Sequence, residues 1–418
     1  MSRLNPLGAA WAVAATAAAP ALRLLLRVRL ARGKEVRGRL AERRGIDPTP
    51  RPPGRLIWLH AASVGETLSI LPVLPALAEG VSTIVLTTGT VTSARLLAQR
   101  LDPLLSGRVL HRFAPLDVPR WAARFLDHWR PDAAAFVESE LWPNQLAACR
   151  ARGIPTMLIN ARLSDRSLAR WQRAPGLARH VLGGFARVQP RSRTDAERLR
   201  ALGCCRVGEP ADLKLAAPPL PVDETELQRL QDLLAGRPIW LAASTHPGED
   251  KLILGVHRTL VTDHPGLLTI IAPRHPERGG TISAAGYRSR GEDPPEEGVW
   301  VADTLGELGL LYRLAGIAFI GRSLLPPGGG QNPLEPARLG CAIAVGPHTG
   351  NFTDHVAMLR AAGGLTVVRD VTELGHWVDG LLRDPARRKA IGDAAVAAVE
   401  RHRGLPYRTA AALMELLR

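Results

Sequence analysis

From Arg55 onward, short apolar runs alternate with helical segments, and a polar loop joins each pair. "RLIWLHAA", "STIVLTTGT", "DAAAFVESE" and "IPTMLINAR" read as strands, with helical spacing in "GETLSILPVLPALAEG", "VTSARLLAQRL" and "LWPNQLAACRARG" between them. A Pro-rich break follows at "AAPPLPVDE". The alternation then restarts with "PIWLAAST", "LLTIIAPR", "GVWVAD", "IAFIGRS" and "CAIAVGP". Strands of this kind, each followed by a crossover helix, predict parallel sheets covered on both faces. Two such halves predict an α/β chain of two doubly wound domains facing across a cleft. The expected boundaries are 46–215 for the first domain, 216–223 for the linker and 224–418 for the second. A length of 418 residues agrees with two cores rather than one.

In open parallel sheets, ligands bind beyond the carboxyl ends of the strands. The chemically loaded segments fall there. "ASVGE", "TTGT" and "ESELWP" follow strands of the first half, and "STHPGE", "PRHPER" and "GRSLLPPGGGQNPLEP" follow strands of the second. Each loop alone has a plain reading as a cap or a turn. Six together at predicted strand ends exceed what caps require.

The acids of the first half are Glu66, Glu138 and Glu140. A general base for a sugar hydroxyl works best with its pKa raised, by burial or by a neighbouring carboxylate. Glu66 also stands in a helix first turn, where an acid is favoured and its pKa is lowered. The two roles pull in opposite directions. In the second half, Ser244 and Thr245 precede a helix start that suits an anion. Arg274, His275 and Arg278 follow the next strand, and Arg forks readily onto phosphate. The glycines of "PPGGGQNPLEP" permit close approach of backbone amides to a ligand. Glu335 stands one turn into the next helix, where it can accept from two vicinal ribose hydroxyls. No G-K-[ST] follows the glycines, so this is not a Walker loop, and G-x-G-x-x-G is absent. No Asp-x-Asp signals a carboxylate-held metal.

A net charge of +15 points to anionic partners. Three Tyr and six Phe give little for base stacking, against a single-strand nucleic-acid binder. The uncharged run from Leu4 to Leu22 is near the ~20 residues of a spanning helix, but it is Ala-rich and contains Pro20. Nine Lys or Arg against two Glu follow between Arg23 and Arg44. That is a positive-inside signal and a juxtamembrane basic segment. Residues 1–45 are therefore expected to form a membrane-associated helix and a basic amphipathic segment, spanning or lying on the bilayer. A cleaved signal peptide is the competing reading. Cys149, Cys204, Cys205 and Cys341 match no zinc spacing and read as reduced thiols.

The loops together resemble the 3-deoxy-D-manno-octulosonic acid (Kdo) transferases of lipopolysaccharide core biosynthesis. "HAASVGE", "ESELWPN", "GIPTMLINARLSDRS", "ASTHPGE", "PRHPER" and "GGGQNPLEPARLG…GPHTGNFTD" occur in that family's order between about Leu56 and Asp354. The resemblance implies a GT-B glycosyltransferase fold of two Rossmann-like domains, a CMP-Kdo donor, a lipid A precursor as acceptor, inversion at the anomeric carbon and no metal or other cofactor. It places the protein on the cytoplasmic face of the inner membrane, against anionic lipid. Glu66 is then the general base, with Glu138 and Glu140 in support. Ser244, Thr245, His246, Arg274, His275, Ser323, Gly329, Gly330, Asn332 and Glu335 are expected on the donor, as is Lys214 of "ADLKLA", which matches an "NLK" element and is expected to contact an anion. The sequence departs from the pattern at Arg322, where a glycine is usual, and at Gln331, where a histidine is usual and which cannot titrate. Another metal-independent transferase of this fold, and a membrane-binding protein without activity, are the alternatives.

Overall fold

The computed structural model describes residues 6–417. They form two compact units, Met1–Ala217 with Gly404–Arg418, and Pro218–Arg403. The first holds strands β1 (Leu56–His60), β2 (Thr83–Thr88), β3 (Val109–Phe113), β4 (Ala133–Val137), β5 (Thr156–Ala161) and β6 (Arg187–Pro190). Their order in the sheet is β3-β2-β1-β4-β5-β6, and every pairing is parallel. Ile57 lies opposite Ile84 on one side and Ala133 on the other. Alternate residues of each strand feed two cores. Ile57, Leu59, Ile84 and Leu86 pack on one face, and Leu56, Trp58, Val85 and Phe136 on the other. Burial of both faces explains why the central strands are apolar throughout.

The second unit holds β7 (Ile239–Thr245), β8 (Leu268–Pro273), β9 (Gly286–Tyr287), β10 (Gly298–Val301), β11 (Ile317–Ile320), β12 (Ala342–Val345) and β13 (Leu365–Val367). Their order is β13-β12-β11-β7-β8-β10-β9, again all parallel. Each sheet has a point where the chain reverses its direction of growth: between β1 and β4 in the first, between β7 and β11 in the second. Ligand crevices in such sheets open at that point.

The C-terminal helix Leu405–Met414 departs from the expected boundary of 224–418. It returns to the first unit, where Leu405, Ala410 and Leu413 are buried in the same core as Ile57 and Leu74.

The N-terminal segment, expected as a membrane anchor and a basic amphipathic segment, is helical and tied to the first unit. Helices α1 (Pro6–Ala17) and α2 (Ala19–Ala31) bend by 55° at their junction. Among the described residues no single helix is long and apolar enough to cross a membrane, although this bent pair passes by length and composition. Leu4 and Asn5, the start of the uncharged run, lie outside the described residues. Part of the basic run is structural. The Arg43 guanidinium is buried, pairs with buried Glu35, and donates to the carbonyls of Thr88, Gly89 and Ala114. It thereby staples residues 35–45 to the carboxyl ends of β2 and β3. Arg39 pairs with Glu42, and Arg29 with Glu35. Arg23, Arg27, Arg32, Lys34 and Arg37 remain exposed.

Because Arg43→Ala strands a buried carboxylate, it is expected to cost about 3–5 kcal/mol in urea unfolding. Replacing the pair together, as Arg43→Met with Glu35→Leu, should recover much of that loss. A single variant within about 0.5 kcal/mol of wild type would show that the pair contributes little.

Candidate functional site

In the first unit, the loop after β1 turns into helix α3 (Val64–Ile70). Ser63 caps it, its hydroxyl accepting from Glu66 N and donating to Glu66 Oε1 at 2.7 Å. Ala62 N donates to Glu66 Oε2 at 2.7 Å. Glu66 therefore occupies the reciprocal position of a capping box. It is also buried, and the space over neighbouring Gly65 is open. Burial raises its pKa above the ordinary carboxylate value. The Ser63 and Ala62 hydrogen bonds lower it, and the charges of Glu140 and Glu138 raise it further, for a net upward shift. Desolvation and the neighbouring carboxylates thus outweigh the hydrogen bonds of the cap in the direction of this shift.

Glu138 and Glu140 follow β4, directly across the point of reversal. Glu138 adopts a left-handed backbone with φ 57°, and Lys214 Nζ stands 3.7 Å from its Oε1. Such a backbone costs a non-glycine residue about 1–3 kcal/mol and collects at functional sites. The Glu140 carboxylate takes hydrogen bonds from His60 Nε2 at 3.2 Å and from Trp142 Nε1. Burial pushes Glu140 up, but His60 and Trp142 together hold it below the ordinary value. Burial and its neighbours thus shift Glu66 upward, while His60 and Trp142 shift Glu140 downward, so the two carboxyls are driven apart in pKa.

His60, at the end of β1, was quoted in its motif but given no role by the sequence. It is buried, with Nδ1 2.9 Å from Thr87 Oγ1, which also accepts from Trp58 Nε1. Asn160, at the end of β5, is likewise left-handed (φ 54°) and buried, and its Oδ1 accepts from Leu213 N beside Lys214. Neither carries a spacing signal. Both join residues far apart in sequence.

In the second unit the loops after β7, β8 and β11 converge at its point of reversal. Glu249 organises them. Its buried carboxylate accepts from the backbone N–H groups of His246, Arg322, Ser323 and Leu324 at 2.7–3.1 Å. Ser244 and Arg322 are both left-handed, with φ 56° and 57°. His246 is partly buried. Burial lowers its pKa, Glu249 raises it, and the nearby Arg322, His275 and Arg278 lower it further, for a net downward shift; its Nε2 lies 3.2 Å from Gln331 Nε2. Arg274 and His275 are exposed, with the His275 ring edge-on to His246 at 5.9 Å. Asn332 Nδ2 donates to Glu335 Oε1 at 3.0 Å. Burial raises Glu335, partly offset by Asn332, Arg338 and Arg274.

Four of the expected donor contacts are placed differently. Thr245 is buried and its hydroxyl donates to Asp250, which Arg278 also binds. Ser323 is buried, its Oγ donating to Ile320 O and accepting from Gly346 N. Gly329 N donates to His348 O, and Gly330 N to Arg322 O. These two amides are therefore spent within the fold. The glycines are needed for another reason: φ is 113° and 74°, and a Cβ on Gly329 would lie 2.7 Å from Asn351 Nδ2. Ser244, His246, Arg274, His275, Asn332 and Glu335 remain as donor candidates in the second unit, whereas Lys214 stands beside Glu138 in the first. Among the described residues no group of three or more His, Cys, Asp or Glu side chains is placed to hold a metal ion.

A family profile described as "3-Deoxy-D-manno-octulosonic-acid transferase (kdotransferase)" matches residues 38–217. A probable mitochondrial 3-deoxy-D-manno-octulosonic acid transferase of Arabidopsis thaliana is 38% identical over 388 residues, covering 88% of this chain and 86% of its own. The chain belongs to the Kdo transferase family. The 3-deoxy-D-manno-octulosonic acid transferase of Haemophilus influenzae is 32% identical over 399 residues, covering 91% of both chains. Among solved structures, a glycosyltransferase from Rickettsia africae superposes with a TM-score of 0.59 at 12% identity, covering 87% of this chain and 99% of its own. That likeness speaks to the fold alone and agrees with a GT-B-like pair of parallel sheets. The motifs "HAASVGE" and "ESELWPN" follow β1 and β4 at the first point of reversal, and "ASTHPGE" and "GGGQNPLEP" follow β7 and β11 at the second.

Proposed function

We propose that this Kdo transferase moves Kdo from CMP-Kdo to a sugar hydroxyl of a lipid A precursor, with Glu66 as general base. Glu66 takes the hydroxyl proton, the oxygen bonds to the anomeric carbon from the face opposite the phosphate, and the bond from that carbon to the CMP oxygen breaks. The configuration inverts, and CMP leaves with the negative charge. Lys214 holds Glu138, and His60 holds Glu140, so both acids stay near Glu66. Arg274, with Ser244, His246 and His275, is assigned to the donor's anionic groups, and Asn332 with Glu335 to the ribose. The observation that carries this reading is the buried Glu66, raised in pKa beside two further carboxylates at the point of reversal of the first sheet. The exposed arginines of α2, together with exposed Leu24, Leu25 and Val28, support docking on an anionic bilayer at the cytoplasmic face of the inner membrane.

The test is mass spectrometry of products from purified protein, CMP-Kdo and a tetra-acylated lipid A precursor. Addition of Kdo is expected. Transfer from a UDP-hexose with none from CMP-Kdo would replace the donor assignment.

A pH profile tests the base. Glu66 acts ionised, so kcat/KM should fall as pH drops, and its raised pKa places that limb above the usual glutamate value of ~4.3. Glu140→Gln removes one of the charges that raise Glu66. The acid limb should therefore move to lower pH. A limb that stays put or rises would detach the profile from Glu66.

A further inference from the structure

An apolar groove of about 350 Å³ lies in the first unit between the N-terminal helices and the loops that carry the carboxylates. Trp11, Ala15, Ala18 and Leu22 form one wall, and Leu116 and Trp142 the other. Asp117 is its one charged neighbour, and its carboxylate is already engaged. It accepts from Asn144 N and Gln145 N, and from Trp11 Nε1 at 2.9 Å, which ties α1 to this wall. The groove therefore presents hydrocarbon. In this second wall the Trp142 indole N–H binds Glu140, the carboxylate whose charge reaches Glu66. Along the opposite wall, α1 has no charged and no buried residue, and α2 carries exposed Arg23 and Arg27.

We propose that this groove takes one acyl chain of the phosphorylated lipid acceptor. This rests on the transfer reading above and adds how the acceptor is held. Three observations select this occupant. The lining is apolar and small-sided along Ala15 and Ala18, which suits an unbranched chain. Trp142 lines the groove and hydrogen-bonds Glu140, so a chain seated here holds its sugar near the carboxylates. The exposed arginines of α2 complement an acceptor that carries phosphate as well as hydrocarbon. The volume is at the low end of the ~300–1,000 Å³ of small-molecule sites, enough for one chain rather than several.

The experiment uses the full chain in nanodiscs, with an acceptor carrying a diazirine in one acyl chain and no CMP-Kdo present. After irradiation, label is expected on residues 6–22 and around Leu116 and Trp142. Unlabelled acceptor should compete with it and phospholipid should not. Label elsewhere, or equal labelling by a diazirine phospholipid that acceptor fails to displace, would overturn the proposal. In kinetics, Ala15→Trp fills the groove and should raise KM for the acylated acceptor by about 10- to 200-fold, leaving KM for CMP-Kdo and turnover of a deacylated phosphorylated acceptor unchanged. Equal effects on both acceptors would count against it. Ala18→Leu, a smaller change, repeats the comparison if Ala15→Trp does not fold. Failure of the wild type to transfer Kdo to either acceptor would sink the functional reading separately, and the labelling still decides whether the groove binds an acyl chain.

Discussion

Glu66→Gln is expected to cut Kdo transfer by about 10²–10⁴-fold, the usual contribution of a positioned general base. The substitution separates the two roles that this residue combines. A glutamine oxygen still accepts from Ala62 N, and the Ser63 hydroxyl, which now donates to Glu66 Oε1, can rotate to accept from the new amide. The cap of α3 is thus kept, and thermal stability and CMP binding should stay near wild type. The ability to take a proton is lost. Near-normal turnover would place the base elsewhere. A loss of activity matched by a loss of stability would return Glu66 to a purely capping role. A helix N-terminus stabilises a nearby carboxylate by about 0.3–1 kcal/mol, which lowers its pKa. Burial and the charges of Glu140 and Glu138 act against this and prevail.

The sequence shows the interior of each sheet better than its edges, for a physical reason. β1, β2, β4 and β7 are buried along nearly their whole length and read as strands with an apolar centre. β3, with Leu110, His111 and Arg112 only partly buried, and β6, "RVQP", are edge strands whose polar positions erase that signal. β13 is a three-residue edge strand of the second sheet. The return of Leu405–Met414 to the first unit was hidden because an apolar face does not name the sheet it covers. At the site, the loops and acids were legible because each follows a strand. What a group spends its hydrogen bonds on was not. Thr245, Ser323 and the amides of Gly329 and Gly330 have the chemistry of anion ligands, but their donors are used by Asp250, Ile320, His348 and Arg322. Arg43 was counted with the membrane-facing charge, and only its buried partners reveal it as a staple.

Glu249 illustrates the same limit and gives the other large expected effect. In "THPGE" it reads as an acid in a helix first turn, which it is. Its second task lies more than seventy residues away, where its two oxygens hold the N–H groups of Arg322, Ser323 and Leu324 as well as that of His246. Glu249→Ala leaves these four groups without their acceptor. At about 1–3 kcal/mol for each buried donor left unpaired, and with water re-entering at some of them, the second unit should lose about 3 kcal/mol or more. The loop from Gly321 to Gln331 would lose its anchor, so CMP binding should weaken by at least about tenfold, roughly 1.4 kcal/mol. Glu249→Gln tests the cause. Its amide nitrogen must face two N–H donors, so it should be nearly as damaging as alanine although it is isosteric. Urea unfolding and calorimetric titration with CMP read both effects. A glutamine variant of wild-type stability that fails only in turnover would instead make Glu249 a participant in the chemistry, because an acceptor of four backbone donors cannot be replaced by half an acceptor without cost to the fold.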